Sequence, residues 1–539
     1  MFDDLLELQL QLNIDNQDYK IPGANIKSFD AAIYPFGFSA SLSFWVSAEV
    51  SADKMFPNFT KPGQIKVSLK MEASIKPKGS PPEPLCLQGI ATSKAVLQEL
   101  TVETTRIKGN PVLYRLYRLD FKDAASVLWT HHYPFALAVD ASVKDLIDAA
   151  KTDGVDLKYD WKILEDKYPV NTLSCGTLDK PVSFYDFIIW YASRYNGAFI
   201  YDAKKNQYTM AQQKIQDGKL VSISGLEIAS YSIEFPEVGL SNIRAYNVVA
   251  EGFAKKEGKR ENAARGIWRD ILVREPVAAD FDKLYDLAEN KSKDKDHSVY
   301  LQHKRFPLIT FRPDIFLEME GGLWSDKIFL KGKKYRICDI LIKGNAVDAG
   351  PDADHNMDHT TYHVEMTSRL ELKDDPVPNL PSFENPVYPV AVEGLIVSDQ
   401  GKNEEETYQI YQNDRTKRDY LKVKLPALEN KIVIVPFEPM FDTGHFYFTP
   451  YKNEKVLVEL YFHDARIARF LDWRPEARLP MDTQGNHILM GKGRDSKTSV
   501  DHIYADDKPK FSITRKSKKD TEIIQLAEGT IILQTKEEN

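Results

Sequence analysis

The densest set of ligand-type side chains lies in "PDADHNMDHTTYH", residues 351–363. His355, His359 and His363 stand four apart, and Asp352, Asp354, Asn356 and Asp358 alternate like the opening of a calcium loop. Such a loop also requires a glycine for its sharp turn and a closing bidentate glutamate. This chain has Met357 and His363 at those places. Zinc would need a helix, to bring histidines at i and i+4 onto one face. Gly350-Pro351 before the histidines and Thr360-Thr361 among them predict a loop. The three histidines are carried forward as metal candidates, and a solvated loop is expected.

Other chemistry is thinner. "MGKGRD" (490–495) has glycines without the spacing or the strand–helix context of a phosphate loop. The run from Lys508 to Lys519 could contact anions, but the solvent-facing charge of a thin element accounts for it better. A glycosidase needs two carboxylates about 5–10 Å apart in a cleft, and no motif marks such a pair. No catalytic residue and no cofactor is expected.

The elements that would carry any site are mostly strands. The exception, residues 181–210, reads as an amphipathic helix running into a β-hairpin. Phe184, Phe187, Ile188, Tyr191 and Tyr195 recur at helical spacing, and Asn196-Gly197 stops the helix, glycine supplying the left-handed backbone. Strands at Ala198–Tyr201 and Gln207–Met210 follow. A second helix is expected in "SVKDLIDAAKTDG", capped by Ser142. Elsewhere, alternating apolar runs broken at Pro22-Gly23, Pro62-Gly63 and Gly79-Ser80-Pro81-Pro82 predict β-structure.

At 539 residues the chain exceeds a single core. Its 42% hydrophobic and 28% charged residues are those of a globular protein. A net charge of −8 argues against nucleic acid as the main partner. Three scattered cysteines, Cys86, Cys175 and Cys338, suit reduced thiols rather than a disulfide framework. The acidic opening "MFDDLLELQL" is unlike a secretory signal, and no apolar run approaches 18 residues, so assembly in a bacterial cytoplasm is expected.

The chain is expected to divide into a β-barrel or sandwich at 1–130 and a helical and hairpin insertion at 131–214. Strands resume over 215–375, around a helical excursion at 277–296. A proline-rich linker at 376–389 leads to a small barrel at 390–475, whose core should include Val423, Val456, Val458 and Phe470. The tail, 476–539, is too thin for a core of its own. It ends in an eight-residue repeat, "TEIIQLAE" then "GTIILQTK". Either the tail is a hairpin turning at Glu528-Gly529 on its own domain, or it winds around copies of itself. An even repeat would return each side chain to one strand face for such winding. Ile523, Ile524, Leu526, Ile531, Ile532 and Leu533 would then meet on a shared axis.

Taken in order, four segments resemble the VgrG and contractile-phage tail hub-spike family. They are 111–147, 181–210, 312–344 with its return strand "TTYHVEMTSRL", and the pair "LKVKLPAL" and "FYFTPYKNEKVLVELYFHDARIARFLDW". The last departs from the family pattern, with Asn453-Glu454 in place of Gly-Asp and His463-Asp464-Ala465 in place of Gly-Asp-Pro. The resemblance implies a mainly β protein with helical insertions (α+β): two hub β-barrels, the first at 1–130 completed by part of 215–250 and the second at 215–375, then an OB-fold and a short intertwined β-stem, assembled as a homotrimer. It further implies a structural hub and spike of a contractile injection system (type VI secretion, phage tail or extracellular particle), adapting a sixfold tail tube and baseplate to a threefold, membrane-puncturing spike. Expected partners are the tube protein, baseplate proteins, a PAAR-type tip protein and effector cargo, with the target membrane met mechanically and no nucleic acid. Two alternatives stand beside it. An OB-fold binding module for nucleic acid or glycan would expose aromatics such as Tyr420, Phe446, Phe448 and Tyr461. A spike-associated cell-wall hydrolase would need a catalytic domain, for which residues 474–500 leave no room.

Overall fold

The computed structural model describes all residues except 50–52, 75–83, 103–111, 237–240, 251, 261–262, 264–265, 294–295, 305–313, 321–328, 331, 401–408, 415–416, 437–450, 473–484, 494 and 538–539. Contacts divide the chain into two units. Met1–Pro134, Ala150–Glu165 and Cys175–Pro386 form the first; Phe135–Ala149, Asp166–Ser174 and Val387–Asn539 form the second. Strands dominate both, and no described helix is long and apolar enough to cross a membrane.

The first unit opens with β1 (Phe2–Ile14), β2 (Gln17–Ile21), β3 (Ile26–Tyr34), β4 (Gly37–Glu49), α1 (Phe56–Phe59), β5 (Ile65–Ala73), β6 (Leu85–Val102), β7 (Val112–Lys122) and α2 (Ala124–Leu128). Strand β1 shows why. Leu6, Leu8, Leu10, Leu12 and Ile14 alternate with Glu7, Gln9, Gln11 and Asn13, and only the first set is fully buried.

The expected insertion at 131–214 does not stay together. Its strands β8 (Ala136–Ser142) and β10 (Lys167–Leu173) pair within the second unit, where α3 (Val143–Ala150) also begins. Strand β9 (Asp156–Asp160), α4 (Phe184–Arg194), β11 (Ala198–Asp202) and β12 (Gln207–Ala211) remain in the first, and β11, β12 and β9 share one sheet. Leu137 and Val170 explain the split, since both are buried in the core of the second unit.

Helix α4 is held by a capping box: the Ser183 hydroxyl accepts from the Asp186 N–H while the Asp186 carboxylate accepts from the Ser183 N–H. At its end, Asn196 rather than Gly197 takes the left-handed backbone, with φ +56°. Gly197 serves another need. A Cβ there would lie 2.2 Å from the Trp161 ring.

The chain continues through β13 (Lys219–Ser224), β14 (Ile228–Glu234), β15 (Asn242–Asn247), β16 (Ala254–Gly258), β17 (Trp268–Val273), α5 (Ala278–Lys291), β18 (Ser298–His303), β19 (Ile315–Glu320), β20 (Lys334–Ala346) and β21 (His359–Leu372). Strand pairings β3–β4–β7–β6–β5–β1–β21–β20, and β20 back to β3, form a closed eight-stranded ring. The strands that close it are therefore β20 and β21, not part of 215–250. Strands β13 and β14 in that stretch pair with β19 and β18 instead. The long β20–β21 hairpin serves two groups. Ile340–Asn345 and His359–Val364 meet β3 and β1, while Lys334–Arg336 and Thr367–Glu371 meet β19 and β18.

In the second unit, β22 (Val390–Val397), β23 (Tyr411–Gln412), β24 (Asp419–Leu425), β25 (Lys431–Pro436), β26 (Lys455–Leu460) and β27 (Ala465–Asp472) form a six-stranded antiparallel sheet. Ile396, Leu421, Val423, Val433, Val456 and Val458 are among its fully buried core. Strands β28 (Asn486–Gly493), β29 (Ser496–Ala505), β30 (Lys508–Ser517), β31 (Asp520–Ala527) and β32 (Thr530–Lys536) make a five-stranded meander.

Candidate assembly surface

The meander has one apolar face, built by register. Ile488 stands opposite Val500, Val500 opposite Ile513, Ile513 opposite Ile524, and Ile524 opposite Leu533. Two residues along, His502, Phe511, Leu526 and Ile531 form a parallel row. Directly opposed residues share a face, so the two rows lie side by side. The reverse face carries Ser499, Thr514, Ile523 and Gln534 in one such row, and is mostly polar.

Val500, Phe511 and Ile513 on this face are half-buried, and its outer strands are open. Ile524 is 46% exposed, Ile531 72% and Leu533 75%, with Ile488 and Leu526 also exposed. An apolar side chain left in water forgoes about 1.5–3 kcal/mol of burial. The outer edges of β28 and β32 likewise have no strand partner among the described residues. Such a surface is suited to packing against other chains rather than to chemistry.

Of the six tail residues expected on a shared axis, Ile524, Leu526, Ile531 and Leu533 lie on this face, while Ile523 and Ile532 lie on the other. The tail is a hairpin turning at Glu528-Gly529, both with positive φ. That turn reverses the chain, so an eight-residue step across it lands on the opposite face. Sequence reading did not single out Ile488, Val500, Phe511 and Ile513. Alternation in "SVDHIYA" and "FSITR" was the available signal.

In the six-stranded sheet, Val423, Val456 and Val458 are fully buried as expected of a core. Phe470 is not; it is 36% exposed. It stands opposite the fully buried Val456 in the β26–β27 register, next to a register irregularity. Of the aromatics a binding face would need, Tyr420 and Tyr461 are half-buried, and Phe446 and Phe448 fall outside the described residues.

The three histidines do not converge. His359 and His363 lie on β21, opposite Glu7 and Asp3, where four residues of strand separate them by about 13 Å. His363 Nδ1 contacts the Asp3 carboxylate. His355 sits in the preceding turn with its Nε2 2.8 Å from the Ser47 hydroxyl. Burial and the nearby Lys27 ammonium both push its pKa down. Lys27 itself is buried, donates to the Ala353 carbonyl at 2.9 Å, and is attracted by Asp348, Asp354 and Asp352. The loop thus already holds a cation, the protein's own. Among the described residues, no three candidate ligands gather.

Buried charge in the first unit is structural. Asp123 accepts from the Phe38 N–H, the Ser126 N–H and hydroxyl, and the Tyr208 hydroxyl, tying α2 to β4 and β12. Burial nonetheless pushes its pKa up. Lys214 pairs with Glu371 at 2.7 Å and Asp375 at 3.4 Å, all three buried.

No family model and no curated protein matches the chain. Solved structures do. A chain of the Francisella PdpA–VgrG complex in its lidded form superposes with a TM-score of 0.72 at 13% identity, over 99% of this chain and 80% of that one. The lidless PdpA–VgrG complex gives 0.70 at 13% identity, over 100% and 99% of the two chains. The half-lidded Francisella complex gives 0.69 at 14%, over 99% and 88%. At such identities the likeness is one of fold, and it runs the length of the chain. The protein thus shares the fold of a chain of the PdpA–VgrG complex.

Proposed function

We propose that this protein is the trimeric hub and spike of a contractile injection machine, of the type VI, phage-tail or extracellular kind. In this reading the closed ring of eight strands is the first hub barrel. The strands β13, β19, β20, β21, β18 and β14 are the second, sharing the long β20–β21 hairpin with the first. The six-stranded sheet is the OB-fold, and the meander is one side of a short stem. The hubs of three chains adapt a sixfold tube and baseplate to the threefold stem. A PAAR-type tip protein and effector cargo attach beyond it, and the device pierces its target membrane by mechanical force. It is made in a bacterial cytoplasm and leaves with the particle.

The observation that carries this reading is the largely exposed apolar face of the meander, in a chain that superposes along nearly its whole length on a chain of the PdpA–VgrG complex. Three copies packing these faces together would make folding of the stem and association one event. The similar chains come from a complex of PdpA with VgrG, which supports a role in a multi-protein assembly. The role requires rigidity and no catalytic residue. Static light scattering on the full-length protein tests it: the expected mass is three times 61.6 kDa, and a monomer would refute it.

A further inference from the structure

The two ends of the meander carry opposite charge. At one end lie the Lys518-Lys519 turn, Lys516, Lys536, Asp495 and Thr521, which together line one concavity. Asp520, Lys497 and Glu537 are close by in sequence or register. At the other end lie the Asp506-Asp507 turn and the Glu528-Gly529 turn, with Lys508 and Lys510 behind them.

Some of these charges are already matched within the chain. Lys516 pairs with Asp495 at 2.7 Å and Lys508 with Glu528 at 2.5 Å. The turn tips are different. Among the described residues, Asp506, Asp507, Lys518 and Lys519 form no ion pair. Nor can they neutralise one another within a sheet. Strand β30 joins the two turns and has ten residues, which at about 3.3 Å each hold them roughly 30 Å apart. Physiological salt screens exposed charges over about 8 Å.

Local backbone preference does not account for the lysines. Lys518 has φ +57°, a left-handed conformation that Asn or Gly adopts more cheaply in a two-residue hairpin turn. Geometry adds a complementary shape. In a meander, the turns at one end fall between those at the other, offset by one strand spacing of about 4.8 Å. The Lys518-Lys519 turn joins β30 to β31. At the far end, Asp506-Asp507 joins β29 to β30 and Glu528-Gly529 joins β31 to β32. Set end to end, a lysine turn meets the notch between two acidic turns.

We propose that the ends of this sheet are matched surfaces for a second copy of the same chain. The Lys518-Lys519 turn of each copy seats between the Asp506-Asp507 and Glu528-Gly529 turns of the next. This rests on the trimer proposed above and supplies what an apolar face lacks, namely direction and axial register. A head-to-tail contact of this kind closes into a ring when the rotation per copy divides the circle. Charges of one sign would likewise repel two copies meeting with like ends together.

The test uses three variants of the full-length chain, with mass followed by light scattering across a dilution series. K518E/K519E makes both ends acidic and D506K/D507K makes both basic. Each is expected to weaken association at least about tenfold, with the loss shrinking at high salt. The combined charge swap D506K/D507K/K518E/K519E restores opposite ends and is expected to recover the wild-type mass. Circular dichroism confirms that each variant stays folded. If wild type is trimeric and the two double variants associate as tightly as it does, the matched ends are refuted while the trimer stands. A combined variant no better than the doubles refutes them too. A monomeric wild type refutes the trimer itself, and the matched ends with it.

Discussion

The eight-stranded ring and the C-terminal meander are written in the same local pattern and end differently. In β1 the leucines at alternate positions are covered by strands of their own ring, because the pairing returns from β20 to β3. In β30 to β32 a similar alternation yields an open sheet, whose apolar rows stay in water. Alternation specifies which face is apolar. Whether that face is covered depends on closure, and the meander is too narrow to close on itself. The first region can be stable as a single chain, whereas the second lacks partners for its largest side chains. Changes in the ring should therefore alter stability independently of concentration, and changes in the meander should act through association.

The largest effect is expected from Leu526→Asp combined with Leu533→Asp. Losing two buried side chains per copy removes about 3–6 kcal/mol per chain. Light scattering should show a monomer, while circular dichroism keeps the signal of the first unit. Asp123→Ala should do the reverse. It leaves the Tyr208 hydroxyl proton and the Phe38 N–H without the Asp123 acceptor in a buried site, at a cost of about 3 kcal/mol. The denaturation midpoint should fall by the same amount at every protein concentration.

Acid should weaken the first unit through His303, which bonds the Ser368 hydroxyl and whose pKa burial lowers to about 4. Between the ordinary histidine value of about 6.5 and that pKa, the unfolded chain binds a proton that the folded chain does not. Stability is therefore full above pH 6.5 and declines as pH falls, by about 2 kcal/mol between pH 7 and 5. His303→Gln should flatten this part of the urea-midpoint profile. Ser183→Ala should cost about 1 kcal/mol through the lost cap of α4. Ile532→Ser, on the mostly polar face of the meander, should leave the mass unchanged and shift stability by less than about 0.5 kcal/mol.

Much of the local structure was legible in the sequence. Apolar spacing located α4 and the following hairpin, and Val423, Val456 and Val458 lie in the core of the six-stranded sheet. Pairing at long range was not legible. Strand β1 meets β21 more than 350 residues away, and alternation names a face without naming the strand that covers it. Phe470 is 36% exposed although it faces the buried Val456 across the register, and alternation along its own strand does not reveal this. The His355–His363 spacing suggested a ligand set only while a loop or helix was assumed. Once β21 is extended, the same spacing becomes separation. At the tail, an even repeat suggests that faces are kept, but the turn at Glu528-Gly529 inverts them.

The central claim is that the exposed rows through Ile524 and Leu526 are covered by two more copies of this chain. Absolute mass from light scattering on the intact protein, measured over a hundredfold dilution, tests it most directly. The account predicts a species of three times 61.6 kDa. A folded protein that stays at 61.6 kDa across that range would contradict it.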